Sequence, residues 1–375
     1  MSMYNNHLRP AVIIVLMLPF LCFACQQEVT FPVDGTTVEE VVDAYIQSPL
    51  NAGIVIGTIS NDATEMYLFG TADKSANEIP DEHTIFEIGS LTKVFTTAVL
   101  ADMASEGLLS LDDPVETYLD ISLPEYNGRE MTLYHLATHT AGFPPAPDNL
   151  YTDDPAALFE QMQNPYKNYT EEDLYDYLRQ FQPEYPYGER IEYSNTGIAL
   201  LGVVLEKRAG IPYRQLLQER ILEPLNMDET RVLLAAEDGR NHAQGYNQWG
   251  VATPFWEFQA IAPAGALRST LSDMLDFLEA NIDEDHSVLG EQLAQCHEPR
   301  IRYPYKDYED FTVGLGWIIL PLSGNGEQVV WHNGGTGGFR SYLGFVKETA
   351  TGVVVLSNSA HSVDDIGRAV LQLLQ

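Results

Sequence analysis

The spacing of apolar residues changes twice along this chain of 375 residues, and that change limits the fold more than any other feature. Thr37-Val38-Glu39-Glu40 reads as a capping box, with Val41, Val42, Tyr45 and Ile46 following at helical spacing. Residues 53–60 form a β-branched run, Asn61-Asp62 turns it, and 66–69 returns as the second arm of a hairpin. Residues 92–106 are helical in pattern, and from about 119 to 259 the chain reads as helix broken by Pro-rich loops. Helical stretches there are 133–139, 170–181, 196–208 and 213–222. The period then becomes that of strands over 313–320, 328–332, 342–347 and 351–357, before a final amphipathic helix at 363–374. Each end therefore supplies a helix and antiparallel strands, and the middle supplies helices. The economical packing is an α+β sandwich: one antiparallel sheet built from both ends, covered by the terminal helices, with a helical insertion beside it. This predicts a single composite domain over 36–375, its α/β part about 36–118 and 260–375 and its helical part about 119–259.

Charge removes some functions. With 20 Lys+Arg against 54 Asp+Glu the formal charge is −34, a field that repels phosphate backbones and excludes nucleic acid as a partner. The first residues are a separate matter. His7 and Arg9 precede an apolar run, 11–24, that is interrupted by Pro19 and shorter than the ~20 residues a bilayer requires. Phe23-Ala24-Cys25 followed by Gln26-Gln27-Glu28 resembles a bacterial lipoprotein signal. The expectation is a signal peptide over 1–24, lipidation of Cys25, a tether over 25–35, and export to the periplasm or cell surface. A lipid anchor at Cys25 would be the only membrane attachment. Cys22 would leave with the signal, and Cys296 would be the one free thiol.

Three segments could carry chemistry. In Phe86-Glu87-Ile88-Gly89-Ser90-Leu91-Thr92-Lys93 an extended stretch ends at Gly89, and Ser90 opens a helix with Lys93 three residues on. Residues i and i+3 share a helix face, so the amine can reach the hydroxyl. A serine is a weak nucleophile until a neighbour takes its proton, and a desolvated lysine can do so. Taken alone, the same pattern also fits a helix cap beside a solvated lysine. Tyr193-Ser194-Asn195 follows a Pro-rich loop and precedes an apolar helix; a tyrosine near a lysine is a candidate general base, and an asparagine amide can grip a substrate amide. A turn followed by a helix cap explains it equally. Last, His332-Asn333-Gly334-Gly335-Thr336-Gly337-Gly338-Phe339-Arg340 joins two strands, and its glycines let a substrate backbone approach. A loose hairpin loop is the alternative.

In this order and separation the three segments resemble those of the serine β-lactamase and penicillin-binding superfamily, especially the class C branch with its D-alanyl-D-alanine carboxypeptidase and esterase relatives. Met131 through Pro144 and Leu111-Asp112-Asp113-Pro114-Val115 add to the resemblance, which spans about Val38 to the C-terminus. It implies a β-lactamase/transpeptidase-like fold, no metal and no organic cofactor. It also implies Ser90 as acylated nucleophile, Lys93 as its proton partner, Tyr193 as proton shuttle and Asn195 as amide ligand. His332-Asn333-Gly334 stands where the family usually has Lys-Thr-Gly, and the oxyanion donors would be the N–H groups of Ser90 and Gly335. Thr92 replaces a usual Ala or Ser. His332 replaces a lysine that binds substrate carboxylate, so that task weakens or passes to Arg340, and activity on carboxylate substrates should rise as pH falls through the imidazole's titration.

The implied function is a serine acyl hydrolase cleaving a β-lactam or D-amino-acid peptide amide. Alternatives are an esterase using the same site, or a penicillin- or peptidoglycan-peptide-binding lipoprotein that acylates without turnover. A zinc hydrolase on His135 and His139 lacks the glutamate of His-Glu-x-x-His, because Leu136 holds that place. Cys296-His297 reads as an incidental buried thiol, and the acidic clusters at 152–154, 171–173 and 283–285 as solvated faces or caps. No Gly-x-Ser-x-Gly elbow occurs, against an α/β-hydrolase.

Overall fold

The computed structural model describes residues 32–375 apart from 34, 62, 77, 233–240, 284–285, 305–310 and 323–326. The expected signal, the Cys25 expected to be lipidated and most of the expected tether lie outside the described residues. The strands are β1 (Gly53–Ser60), β2 (Ala63–Gly70), β3 (Phe86–Glu87), β4 (Arg231–Val232), β5 (Leu267–Ser269), β6 (Ile301–Arg302), β7 (Thr312–Val313), β8 (Ile318–Pro321), β9 (Gln328–Gly335), β10 (Arg340–Val346) and β11 (Thr351–Ser357). The α-helices are α1 (Val38–Ile46), α2 (Thr92–Ser105), α3 (Leu133–Ala137), α4 (Pro155–Gln163), α5 (Glu171–Gln180), α6 (Asn195–Ala209), α7 (Tyr213–Leu217), α8 (Leu271–Ile282), α9 (Gly290–Cys296) and α10 (Asp364–Leu373).

An antiparallel eight-stranded sheet runs β2-β1-β11-β10-β9-β8-β7-β6, so the N-terminal hairpin joins the C-terminal strands through the β1–β11 ladder. β1 and β11 are almost wholly buried, as β-branched strands covered on both faces must be. Side chains alternate between two cores. Ile54, Ile56, Tyr342, Val353 and Val355 meet α1 and α10 on one face; Val55, Leu343, Phe345, Val354 and Leu356 join α2, α6 and α8 on the other. A short sheet, β3-β5-β4, stands beside α2. Helices α3 to α7 lie between β3 and β4 in the chain. The fold is α+β, of the β-lactamase/transpeptidase-like type.

Two local readings change. The strand expected over 313–320 divides into β7 and β8, because Leu315 N–H turns away to Cys296 O and Gly316 N–H to Ala137 O, with Gly316 at φ +75°. The first helix keeps only half of its expected capping box. Thr37 Oγ1 accepts from Glu40 N–H, but the Glu40 carboxylate accepts from the N–H and hydroxyl of Thr36 rather than closing back on Thr37.

Candidate active site

Ser90 does not open α2. It sits in a single 3₁₀ turn, Gly89–Leu91, between β3 and the helix. Gly89 starts that turn at φ +51°, a conformation that favours glycine. Thr92 Oγ1 donates to Gly89 O at 2.7 Å and accepts from Leu267 N–H at 3.0 Å, fastening the turn to β5. That gives the Thr at this position a task an alanine could not perform. One residue on, Lys93 is wholly buried, its Nζ 2.9 Å from Ser90 Oγ and 2.7 Å from the Ala264 carbonyl. Burial alone holds the amine well below its ordinary pKa, with no carboxylate pulling it back. A neutral amine at this distance is an acceptor for the serine proton.

Strand β9 passes directly over this turn. A side chain on Gly334 would collide with the Ile88 carbonyl and lie 3.0 Å from Ser90 N, and one on Gly89 would lie 2.6 Å from Gly335 N. Paired glycines thus bring the backbone amides of Ser90 and Gly335 close together. Ser341 Oγ, donating to Ile88 O at 2.8 Å, adds a cross-link from β10.

His332 shares the α2 face of β9 with Gly334, since strand residues two apart point the same way. Its Nδ1 lies 2.5 Å from Asn333 O, so that nitrogen carries the proton and Nε2 is a bare lone pair. Nε2 is buried with no hydrogen-bond partner. Desolvation is the main cause that depresses this imidazole to about 3, and a proton on Lys93 opposes its charging further. His332 is therefore neutral from pH 5 to 8, which corrects the expectation of a titrating carboxylate anchor.

Tyr193 stands between two imidazoles, its ring centroid 4.7 Å from His139 and 6.1 Å from His332, with Lys93 Nζ 4.9 Å above its face. Beyond it, Ser194 Oγ caps α6 by accepting from Gly197 N–H at 3.0 Å. Asn195 Nδ2 donates to Tyr166 Oη at 3.1 Å. Ser90, Lys93, Tyr193, His332 and Gly334 are thus one group, with Gly335 against the nucleophile turn and Asn195 on the helix that carries Tyr193.

Asn333 and Arg340 do not join them. Asn333 is one residue from His332, so the pleat turns it to the α10 side, where Nδ2 donates to Asp364 Oδ2 at 2.6 Å. Arg340 pairs across from Gly335 on that same face, and its Nη1 donates to the carbonyls of Thr336 and Phe339, both at 2.8 Å. Arg340 clasps the β9–β10 turn.

Residues 38–375 match the family described as Beta-lactamase, which is essentially the whole described chain. The protein belongs to the beta-lactamase family. A beta-lactamase of Escherichia coli K12 is 26% identical over 371 residues, 90% of each chain, and the same strain's D-alanyl-D-alanine-carboxypeptidase/endopeptidase AmpH is 25% identical over 338 residues, 85% of this chain and 82% of its own. Among solved structures, the octameric penicillin-binding protein homologue from Pyrococcus abyssi superposes with a TM-score of 0.78 at 30% identity, covering 90% of this chain and 76% of its own. A class C beta-lactamase gives a TM-score of 0.75 at 23% identity, covering 90% and 95%. The chain is a serine hydrolase.

In this beta-lactamase-family enzyme the structure also places His139, Glu87 and Cys296. The sequence pattern pairs His139 with His135 on one helix over 133–139. α3 ends at Ala137, and His139 lies beyond it at φ +56°. His135 Nδ1 accepts from Thr132 N–H at 3.0 Å, whereas His139 Nδ1 accepts from Ser194 N–H at 3.2 Å, so the two rings serve different segments. Glu87, within the serine motif, is a buried carboxylate opposite Arg268. Cys296 Sγ donates to the Thr97 and Gln292 carbonyls, and burial pushes the thiol up to about 12, so it is not a nucleophile.

Proposed function

We propose that this enzyme is an acyl hydrolase of the class C type that works through a Ser90 acyl-enzyme. Lys93 Nζ accepts the Ser90 proton as Oγ adds to a substrate carbonyl, and the N–H groups of Ser90 and Gly335 stabilise the oxyanion. Tyr193 carries a proton to the leaving group as the carbonyl re-forms, and water then releases the acyl group. The observation that carries this reading is the 2.9 Å approach of a buried, charge-depleted Lys93 to Ser90. Asn195, on the helix that starts beside Tyr193, is the proposed ligand for a substrate amide.

The substrate we propose is a β-lactam or a D-amino-acid peptide amide. One observation favours a second reading, a small ester or other uncharged acyl donor. His332 occupies the carboxylate-binding position as a neutral imidazole with an unpartnered lone pair, suited to a substrate N–H or O–H rather than to an anion. Parallel turnover of a chromogenic cephalosporin, a D-Ala-D-Ala peptide and a p-nitrophenyl ester decides between them. Ester turnover exceeding both others supports the neutral-substrate reading, and cephalosporin or peptide turnover exceeding the ester supports the first. If wild type and Ser90→Ala hydrolyse all three at the same rate, the site is wrong.

Export with a lipid anchor at Cys25 belongs to the same proposal, motivated by the Phe23-Ala24-Cys25 signal. Among the described residues no helix is long and apolar enough to cross a membrane. Fractionation of wild type and Cys25→Ala tests it: wild type should sediment with membranes and the variant should not, and equal distribution would remove the anchor.

A further inference from the structure

Glu87 lies three residues before Ser90, is almost fully buried, and faces Arg268 directly across the β3–β5 ladder. Each carboxylate oxygen has its own backbone segment to hold. Oε2 accepts from Thr336 Oγ1 at 2.6 Å, and Oε1 accepts from Trp256 N–H at 2.7 Å. Arg268 stands 3.5 Å from Oε1, reaches Trp256 O at 3.3 Å, and lies over the Phe255 ring. Thr336 follows Gly335, whose amide we assign to the oxyanion. Its N–H bonds to Phe339 O at 3.1 Å and its carbonyl accepts from Arg340, so Glu87 takes the last free polar atom of that residue.

We propose that Glu87 is a positioning residue: its carboxylate clamps the β9–β10 turn and the Trp256 segment to the strand leading into Ser90, and so fixes where the Gly335 N–H points. This rests on Ser90 being the nucleophile. Two neutral donors converge on Glu87, and only a carboxylate accepts from both while balancing Arg268. A protonated carboxyl turns one oxygen into a donor, which Trp256 N–H cannot receive and which Thr336 Oγ1 receives only by giving up its own donation, and the charge balancing Arg268 is lost. Arg268 is the charged group facing it. Of the neighbouring charges, Glu257 is paired with Lys167, Arg340 with backbone carbonyls, and Lys93 with Ser90 and Ala264. Burial outweighs the pull of Arg268 and lifts Glu87 to about 7, so the clamp is formed above that pH and loosens below it.

The test measures kcat and KM for a neutral p-nitrophenyl ester from pH 5.5 to 8.5 in wild type, Glu87→Gln, Thr336→Val and Thr336→Ser, with fluorophosphonate labelling and thermal melts of each. A displaced oxyanion donor lowers kcat by about tenfold while binding is kept, so Glu87→Gln should lose about tenfold in kcat at pH 8 with KM within about threefold. Its profile should lack the wild-type fall through about pH 7. Thr336→Val should lower kcat in the same way, and Thr336→Ser should restore it. Folded Glu87→Gln and Thr336→Val with unchanged kcat and an unchanged acid limb would overturn the clamp, as would a lowered melting temperature alone. If Glu87→Gln does not fold, the Thr336 pair decides. Loss of labelling in Ser90→Ala tests the nucleophile separately, so either idea can fail without the other.

Discussion

Two buried sets of ionisable groups flank Ser90, and they are treated in opposite ways. On one side Lys93, His139 and His332 crowd around Tyr193 with no carboxylate among the causes of their shifts. On the other, Glu87 meets Arg268, Thr336 and Trp256, and both of its oxygens are filled. Burial is equally severe on both sides. Where a counter-ion is present a carboxylate can remain charged; where none is present, burial shifts the amine and both imidazoles toward their neutral forms. On the function proposed here, the unpaired side supplies proton acceptors and the paired side supplies rigidity. Acyl transfer needs both, the first to deprotonate a serine and the second to hold amides at the oxyanion.

The largest effect should come from the unpaired side. Lys93→Met fills the same space without a lone pair, and loss of a general base typically removes 10²–10⁴ in rate, so kcat for a neutral ester should fall by roughly a thousandfold at pH 8. A fall of less than about tenfold would mean that the amine is not Ser90's acceptor.

Next comes the pH dependence of stability. The folded-state pKa of His332 is depressed from 6.5 to about 3, and that of His139 is depressed too, so the stability they contribute is complete above 6.5 and is lost as pH falls below it. Glu87, raised to about 7 from 4.5, works the other way between those two values, since its protonated form is favoured in the fold. Asp276, raised to about 6 by burial, joins Glu87 in opposing the imidazoles, so His332 is read from the difference in the pH slope of denaturant melts between wild type and variant. Relative to wild type, His332→Asn should gain up to about 1.4 kcal/mol per pH unit as pH falls from 6.5 to 4.5. An unchanged slope would mean that His332 is solvated enough to charge. Over the same range the ratio of turnover for a carboxylate-bearing and a neutral ester should stay flat.

The smallest effect is expected from Asn333→Ala, which breaks the bond to Asp364 on the far side of the sheet. Its kcat/KM should stay within about twofold while stability falls by about 1 kcal/mol. A large loss of activity at unchanged stability would place Asn333 in the site after all.

How much of this could be read beforehand follows from the range of each interaction. Strands β1, β9, β10 and β11 and helices α1, α2, α6 and α10 are long enough for their period to declare them, and the chain ends had to meet because neither could bury its strands alone. Ser90 and Lys93 were legible because their contact is local. Parity at 332 and 333 was not, because the strand was expected to end at 332; β9 runs on to Gly335 and so turns His332 and Asn333 to opposite faces. The protonation of His332 was not, because it depends on burial by residues far away in sequence. Glu87 was hidden for a similar reason. β3 has two residues and shows no period, and the partners of Glu87 arrive from positions 256, 268 and 336. The end of α3 before His139 is a third case, since one left-handed residue moved a supposed helical pair onto separate segments.

The most direct measurement is the mass of the protein after mixing with a p-nitrophenyl ester and quenching in acid, followed by peptide mapping. The account predicts a transient gain equal to the acyl group, carried by the peptide containing Ser90 and absent in Ser90→Ala. Hydrolysis at the wild-type rate in Ser90→Ala, or an adduct on any other residue, would contradict it.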